Sequence, residues 1–181
     1  LPAAELRRMS LHGQDRDALV RRGGVSVEYD IVTLGYKANM TDLQAAVGLS
    51  QLLRYRAMIS QRRFLTKRYE AGLPNGWSCL AHTPGWSAHL MMALMPEQAA
   101  SRRNALFAQL LRQGIHANIH YRPLPLMTVY RRMGWREDNC PNAIALYERE
   151  VSLPLSSVMT VQEADFVLDC LHQFSEATGP F

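Results

Sequence analysis

The sequence predicts an α/β fold, and three observations carry the prediction. A nearly continuous apolar run from Ser87 to Met95 is bounded by Gly85 and Pro96, as a buried strand would be. Ala99 to Gln113 then repeats Leu106, Phe107, Leu110 and Leu111 at helical spacing, with Gly114 as its stop. Beyond it strand-like and helix-like stretches keep alternating, which indicates helices layered on a sheet.

Taken in order, Pro2 stands at a first-turn position ahead of good helix formers, and His12-Gly13 closes a short helix. Residues 14–24 are charged and end in a glycine pair, the pattern of an exposed loop. Val25, Val27, Tyr29 and Ile31 alternate with polar residues up to Val32, as a strand or an extended arm does. A helix is expected from about Asp42. Thr41 is its N-cap, Gln44 completes a capping box, Asp42 puts a negative charge in the first turn, and Met40 can staple onto Ala45. It runs to about Arg68 and closes in the turn Leu73-Pro74-Asn75-Gly76. Within it Ala45, Ala46, Gly48 and Ser50 interleave with leucines, so that another backbone can approach closely. Glycine there costs about 1 kcal/mol against alanine, which suggests a packing reason.

Further on, Ile115 to Tyr121 reads as a second strand, Asn142 to Arg149 as a short helix and Val151 to Leu155 as a third strand. A capping box at Thr160 and Glu163 opens a last helix carrying Phe166, Val167 and Leu171. A boundary is placed near Asn75, dividing residues 1–75, an interface segment, from residues 76–181, a compact α/β domain.

With 181 residues and 48% hydrophobic content, the composition is that of a soluble globular chain. The net charge of +4 comes almost wholly from arginine, since Lys37 and Lys67 are the only lysines. This excess suits a nucleotide or phosphate substrate without establishing one. The basic stretch from Arg54 to Arg68 lacks aromatic interleaving and any zinc finger, so it reads as a solvated helix face and not as a nucleic-acid site. Cys79, Cys140 and Cys170 have neither disulfide nor zinc spacing, which fits a reducing cytoplasm. No leader and no apolar run of about 20 residues argues for a membrane. Leu1 stands where a methionine would, with a helix already in progress, so the start reads as a cut.

Two places carry candidate chemistry. Gly35-Tyr36-Lys37-Ala38-Asn39 presents a phenol, an ammonium and a carboxamide just before a helix N-terminus, an arrangement that suits an anion. An ordinary capped start to a buried helix explains the same residues. His120-Tyr121, at the end of a predicted strand, can face a cleft, or can be a rim histidine beside a core tyrosine. His116 and His120 form H-x3-H, but with no adjacent glutamate, no helix and no third ligand a metal is not expected there.

The stretch from Gly35 to Leu52 resembles the loop and helix of the DegT/StrS-type sugar aminotransferases, and further segments match in the family's order. They are Ser10-Leu11-His12-Gly13 with Asp15-Arg16-Asp17-Ala18, Tyr29-Asp30-Ile31-Val32, His120-Tyr121 with Pro123-Leu124, Cys140-Pro141-Asn142-Ala143, Glu148-Arg149-Glu150, and Ser152-Leu153-Pro154-Leu155 with Met159-Thr160. The resemblance implies the C-terminal part of a fold-type I aminotransferase: residues 1–75 as the tail of the large cofactor domain with its dimer-interface helix, residues 76–181 as the small domain. It implies pyridoxal phosphate as cofactor, a nucleotide-linked keto sugar and an amino-acid donor such as glutamate as substrates, and a cytoplasmic homodimer without nucleic-acid or membrane partners.

By resemblance, Asn39 reaches the cofactor phosphate of the partner subunit, with Lys37 and Tyr36 beside it. His120, Tyr121 and His12 fall on the substrate side. Two departures stand out. Pro125 occupies the place where many relatives carry a second histidine after the HY pair. The lysine and acid that hold the cofactor ring precede the segment that matches Leu1, so no catalytic residue is assigned within this chain, and it is expected to be inactive alone. A remnant serving as a binding or dimerisation module, and the dehydratase branch of the family, are the alternative readings.

Overall fold

The computed structural model describes residues 2–15, 30–38 and 40–177. The chain folds as two compact units, Leu1–Arg54 and Tyr55–Phe181. The expected loop over residues 14–24 and the expected strand or arm from Val25 lie largely outside the described residues.

In the first unit, helix α1 (Ala3–Ser10) starts behind Pro2, whose carbonyl accepts the amides of Glu5 and Leu6. It ends where the Leu11 and Gly13 amides return to the Arg8 carbonyl. Gly13 has φ +76, and its missing side chain is required twice over: a Cβ would collide with the Thr33 carbonyl. Gly35 also has no room for a side chain, since a Cβ there would stand 2.7 Å from the His12 carbonyl carbon. The described end of the predicted arm is extended and paired: the Asp15 amide donates to the Asp30 carbonyl, the Val32 amide to the Gly13 carbonyl, and Gln14 bridges Ile31.

Helix α2 (Asp42–Gly72) begins at the predicted residue with the predicted cap. The Thr41 amide donates to Gln44 Oε1 at 3.1 Å and the Gln44 amide to Thr41 Oγ1 at 3.3 Å. The helix belongs to the first unit up to Arg54 and to the second from Tyr55.

The second unit contains a three-stranded antiparallel sheet in the order β1 (Ser78–Cys79), β2 (Met91–Leu94), β3 (Glu150–Leu153). Cys79 pairs with Ala93, and Met91 with Leu153. Around it lie helices α3 (Arg103–Arg112, entered through a 3-10 turn at Glu97–Arg102), α4 (Thr128–Arg132), α5 (Pro141–Arg149) and α6 (Val161–Ala177). The core joins Leu65 and Tyr69 of α2 to Met91 and Ala93 of β2, Leu106 and Leu110 of α3, Val151 of β3 and Leu171 of α6. Each large apolar side chain buried in this way contributes about 1.5–3 kcal/mol. Tyr69 buries its ring and satisfies its hydroxyl on the Pro154 carbonyl at 3.0 Å; burial pushes the phenol well above its ordinary pKa. The last helix opens on the predicted box, the Thr160 amide donating to Glu163 Oε2 at 2.7 Å and the Glu163 amide to Thr160 Oγ1 at 3.2 Å.

Two expected strands change. The run from Ser87 pairs only from Met91, because Ala88 takes a left-handed φ of +51 that interrupts extension. Ile115 to Tyr121 is not a strand. Only Asn118 pairs, exchanging two backbone bonds with Ser152 at 3.0 and 2.8 Å. The Ile119 amide donates to the side chain of Asn118 and the His120 amide to that of Glu150, so the donors that would extend a ladder are spent. Among the described residues no helix is long and apolar enough to cross a membrane.

Candidate functional site

The loop before α2 is laid back on the end of α1. The Tyr36 amide donates to the Met9 carbonyl at 2.7 Å, the Ala38 amide to Ser10 at 2.9 Å, and the His12 amide to the Tyr36 carbonyl at 2.9 Å. These bonds hold Tyr36 and Lys37 by their backbone and leave both side chains exposed, the phenol of Tyr36 at 70%. His12, at φ +59, is exposed at the same turn. Asn39 lies outside the described residues. The capping box occupies the Thr41 and Gln44 amides, so the loop offers an anion side-chain donors first.

His120 and Tyr121 belong to the second unit, where the sequence pattern had not revealed what holds them. Glu150, at the start of β3, is 1% exposed, and its two oxygens are both used: one accepts the His120 amide at 3.0 Å, the other the Ser152 hydroxyl at 2.5 Å. Ser152 Oγ lies 2.8 Å from His120 Nδ1. Since the serine proton goes to the carboxylate, Ser152 Oγ must accept from Nδ1–H. In the neutral imidazole this puts the proton on Nδ1 and leaves Nε2 as an acceptor. Tyr121 meets the His120 ring edge-on at 4.7 Å and is 74% exposed, joined through a cis peptide. The side chain of a core tyrosine is therefore not what this residue provides.

Sequence reasoning missed Glu150, which falls between the predicted helix ending at Arg149 and the predicted strand starting at Val151, and only the observed strand Glu150–Leu153 brings it behind His120. His116 is exposed and takes no part in the network. A cleft of about 470 Å³ lies beside it, lined by His116, Leu155, Val158, Phe166 and others, and includes neither His120 nor Tyr121.

The folded chain is similar in structure to Spr1654 of Streptococcus pneumoniae, described as a sugar aminotransferase. In its PMP form the TM-score is 0.79 at 38% identity, covering 94% of this chain and 44% of that one. The PLP form of the same protein matches with a TM-score of 0.78 at 35% identity, covering 96% and 43%. Helicobacter pylori PseC, an aminotransferase involved in the biosynthesis of pseudoaminic acid, shares the fold with a TM-score of 0.77 at 20% identity, over 95% of this chain and 45% of its own. The architecture is thus that of the C-terminal part of a fold-type I sugar aminotransferase. The model of the DegT/DnrJ/EryC1/StrS aminotransferase family matches residues 2–172, and the chain belongs to that family. An uncharacterized protein of Methanocaldococcus jannaschii is 34% identical over 167 residues, 87% of this chain and 43% of the relative. The chain spans less than half the length of the relatives it matches.

Proposed function

We propose that the complete protein transfers an amino group from an amino acid such as glutamate to the keto carbon of a nucleotide-linked sugar, with pyridoxal phosphate as cofactor. The observation that carries the reading within this chain is the buried Glu150–Ser152–His120 relay. It holds an imidazole acceptor beside an exposed phenol, a pair suited to sugar hydroxyls. In this reading His120 Nε2 accepts a hydroxyl proton of the sugar and Tyr121 supplies a ring face or a phenol donor, while Glu150 and Ser152 keep the imidazole oriented. His12 is placed on the substrate side by resemblance alone.

The loop's donor set fits the phosphate end of the cofactor. An ammonium and a phenol stand on a backbone already pinned to α1, so little ordering is needed on binding. Lys37 and Tyr36 would hold the phosphate, with Asn39 added by resemblance. When bound, pyridoxal phosphate supplies an electron sink for the amino-bearing carbon. The chain's other lysine, Lys67, is exposed on α2 within an arginine-rich stretch. The lysine that anchors the cofactor is therefore assigned to a part of the complete protein outside this chain. Residues 1–75 are taken as the tail of the cofactor domain and residues 76–181 as the small domain, with the exposed small-residue half of α2 at a homodimer interface.

In the complete protein, His120→Ala is expected to raise KM for the nucleotide sugar by at least about tenfold, the loss of one good hydrogen bond to a buried partner. The half-reaction with the amino donor should be unchanged. An unaltered sugar KM would remove His120 from the site. The 181-residue chain alone, mixed with pyridoxal phosphate, should show only the slow colour of surface amines. Borohydride trapping that labels Lys37 stoichiometrically, with glutamate-dependent turnover, would overturn the assignment of catalysis to the complete protein.

A further inference from the structure

Away from these residues, three side chains of different origin converge in the second unit. Glu70 comes from the last turn of α2, Cys79 from β1 and His82 from the loop that follows. Their ligand atoms all lie within 4.8 Å of one another. His82 Nε2 is 3.1 Å from Glu70 Oε1, and Cys79 Sγ is 3.8 Å from the same oxygen. The approach of the imidazole is not a hydrogen bond. Nε2 is closed to solvent and makes no hydrogen bond, meeting Glu70 Oε1 only as an ion-pair contact off the hydrogen-bonding angle, with the Cys79 sulfur in the same cluster. Such an atom costs free energy unless a ligand completes it.

We propose that Glu70, Cys79 and His82 bind one divalent cation of the zinc class. One thiolate, one neutral imidazole and one carboxylate form a mixed borderline donor set of the kind zinc takes. Their two negative charges balance the ion. Tetrahedral bonds of about 2.0–2.3 Å put ligand atoms roughly 3.3–3.8 Å apart. The 3.8 Å sulfur–oxygen separation lies in that range and the 3.1 Å nitrogen–oxygen separation just below it, and side-chain rotation can adjust that one and close the third. On coordination the Cys79 S–H proton passes to solvent, the sulfur lone pair goes to the metal, and water takes the fourth position.

The supports are rigid. Cys79 pairs in register with Ala93, and the Leu80 amide donates to the Met92 carbonyl at 3.3 Å. The His82 ring stacks on Trp86 at 3.6 Å with 11° between the planes. The turn that follows His82 closes from the Trp86 amide to the Thr83 carbonyl at 3.1 Å, and Arg63 of α2 donates to the Trp86 carbonyl at 3.1 Å. Bound metal would thus pin the end of α2 to the edge of the sheet.

The test is a titration of the chelator-stripped 181-residue chain with Co(II). One equivalent should produce a thiolate-to-cobalt charge-transfer band and quench indole emission, and Zn(II) should displace the cobalt. Cys79→Ser should abolish the band, and His82→Gln should weaken binding at least about tenfold, whereas Cys140→Ser should leave both unchanged. A wild-type measurement needs no variant to fold: saturating Zn(II) should protect Cys79, and not Cys140, from iodoacetamide in a peptide map. A one-equivalent band that survives in Cys79→Ser, the lack of any band in the millimolar range, or equal alkylation of Cys79 with and without zinc would each overturn the site.

Discussion

From Asp42 to Ala57 every residue of α2 is exposed, Leu53 at 83%, whereas Leu65 and Tyr69 of the same helix are at 0%. The two stretches use similar residues. In the second, apolar side chains recur where the sheet and α6 can cover them, and the helix becomes part of a core. In the first, Leu43, Val47, Leu49, Leu52 and Leu53 are apolar on several sides, and among the described residues none is buried. That stretch is held by its cap and by helix propensity, while the other is held by packing. Sequence periodicity alone could not separate them, because burial depends on what lies opposite.

The largest expected difference follows directly. Leu65→Ala should cost about 2–5 kcal/mol in denaturant unfolding, by lost transfer and a cavity, while Leu53→Ala should stay within about 0.5 kcal/mol. Comparable losses would mean that the first stretch is packed after all. A second contrast concerns polar groups. Ser152→Ala removes the hydroxyl from a carboxylate that is almost fully buried, leaving one oxygen of Glu150 without its donor. The expected cost is about 1–3 kcal/mol, with the Nδ1 resonance of His120 shifting in nitrogen NMR as its partner disappears. An unshifted resonance would break the relay.

A smaller effect sharpens the comparison from the other side. A methyl added at Gly48 meets no atom of the described residues within 4 Å. In the 181-residue chain Gly48→Ala should therefore stabilise the helix by about 1 kcal/mol, its propensity gain. In the complete protein the same methyl should weaken self-association, if the small residues admit a second backbone. Sedimentation showing an unchanged dimer would leave Gly48 without an interface role.

These contrasts also mark what the sequence made legible. Both capping boxes form with the residues predicted, since their signal is local and four residues long. The segment Ile115 to Tyr121 had strand composition, yet its amides are taken by Asn118 and Glu150, and the second of these is 30 residues from His120 in sequence. The relay thus joins residues far apart in the chain, whereas the Glu70–Cys79–His82 cluster draws a helix end, a strand and a loop from one short stretch, and the spacing of its members follows no motif. On the sites, the sequence could indicate His120 and Tyr121 as residue types suited to a cleft, but not the carboxylate behind them.

The smallest effect separates the two caps themselves. Thr41 is boxed by Gln44, whose amide does not titrate, and Thr160 by Glu163, whose carboxylate does. The hydrogen bonds from the Thr160 backbone, and then from its hydroxyl, hold the Glu163 carboxyl below the ordinary glutamate range. A carboxyl whose folded pKa is depressed binds its proton more weakly in the folded state than in the unfolded one. Its contribution to stability is therefore present above the unfolded value of about 4.3, and is lost as pH falls through the folded value. The Thr160 amide proton should follow that ionisation in an NMR titration with a midpoint below about 4.3, and Glu163→Gln should remove the transition while keeping an oxygen acceptor. The Thr41 amide should show no transition from its own cap partner. A Thr160 midpoint at or above the ordinary value would mean that the second cap, despite its short bonds, is no tighter toward the charged form than toward the neutral one.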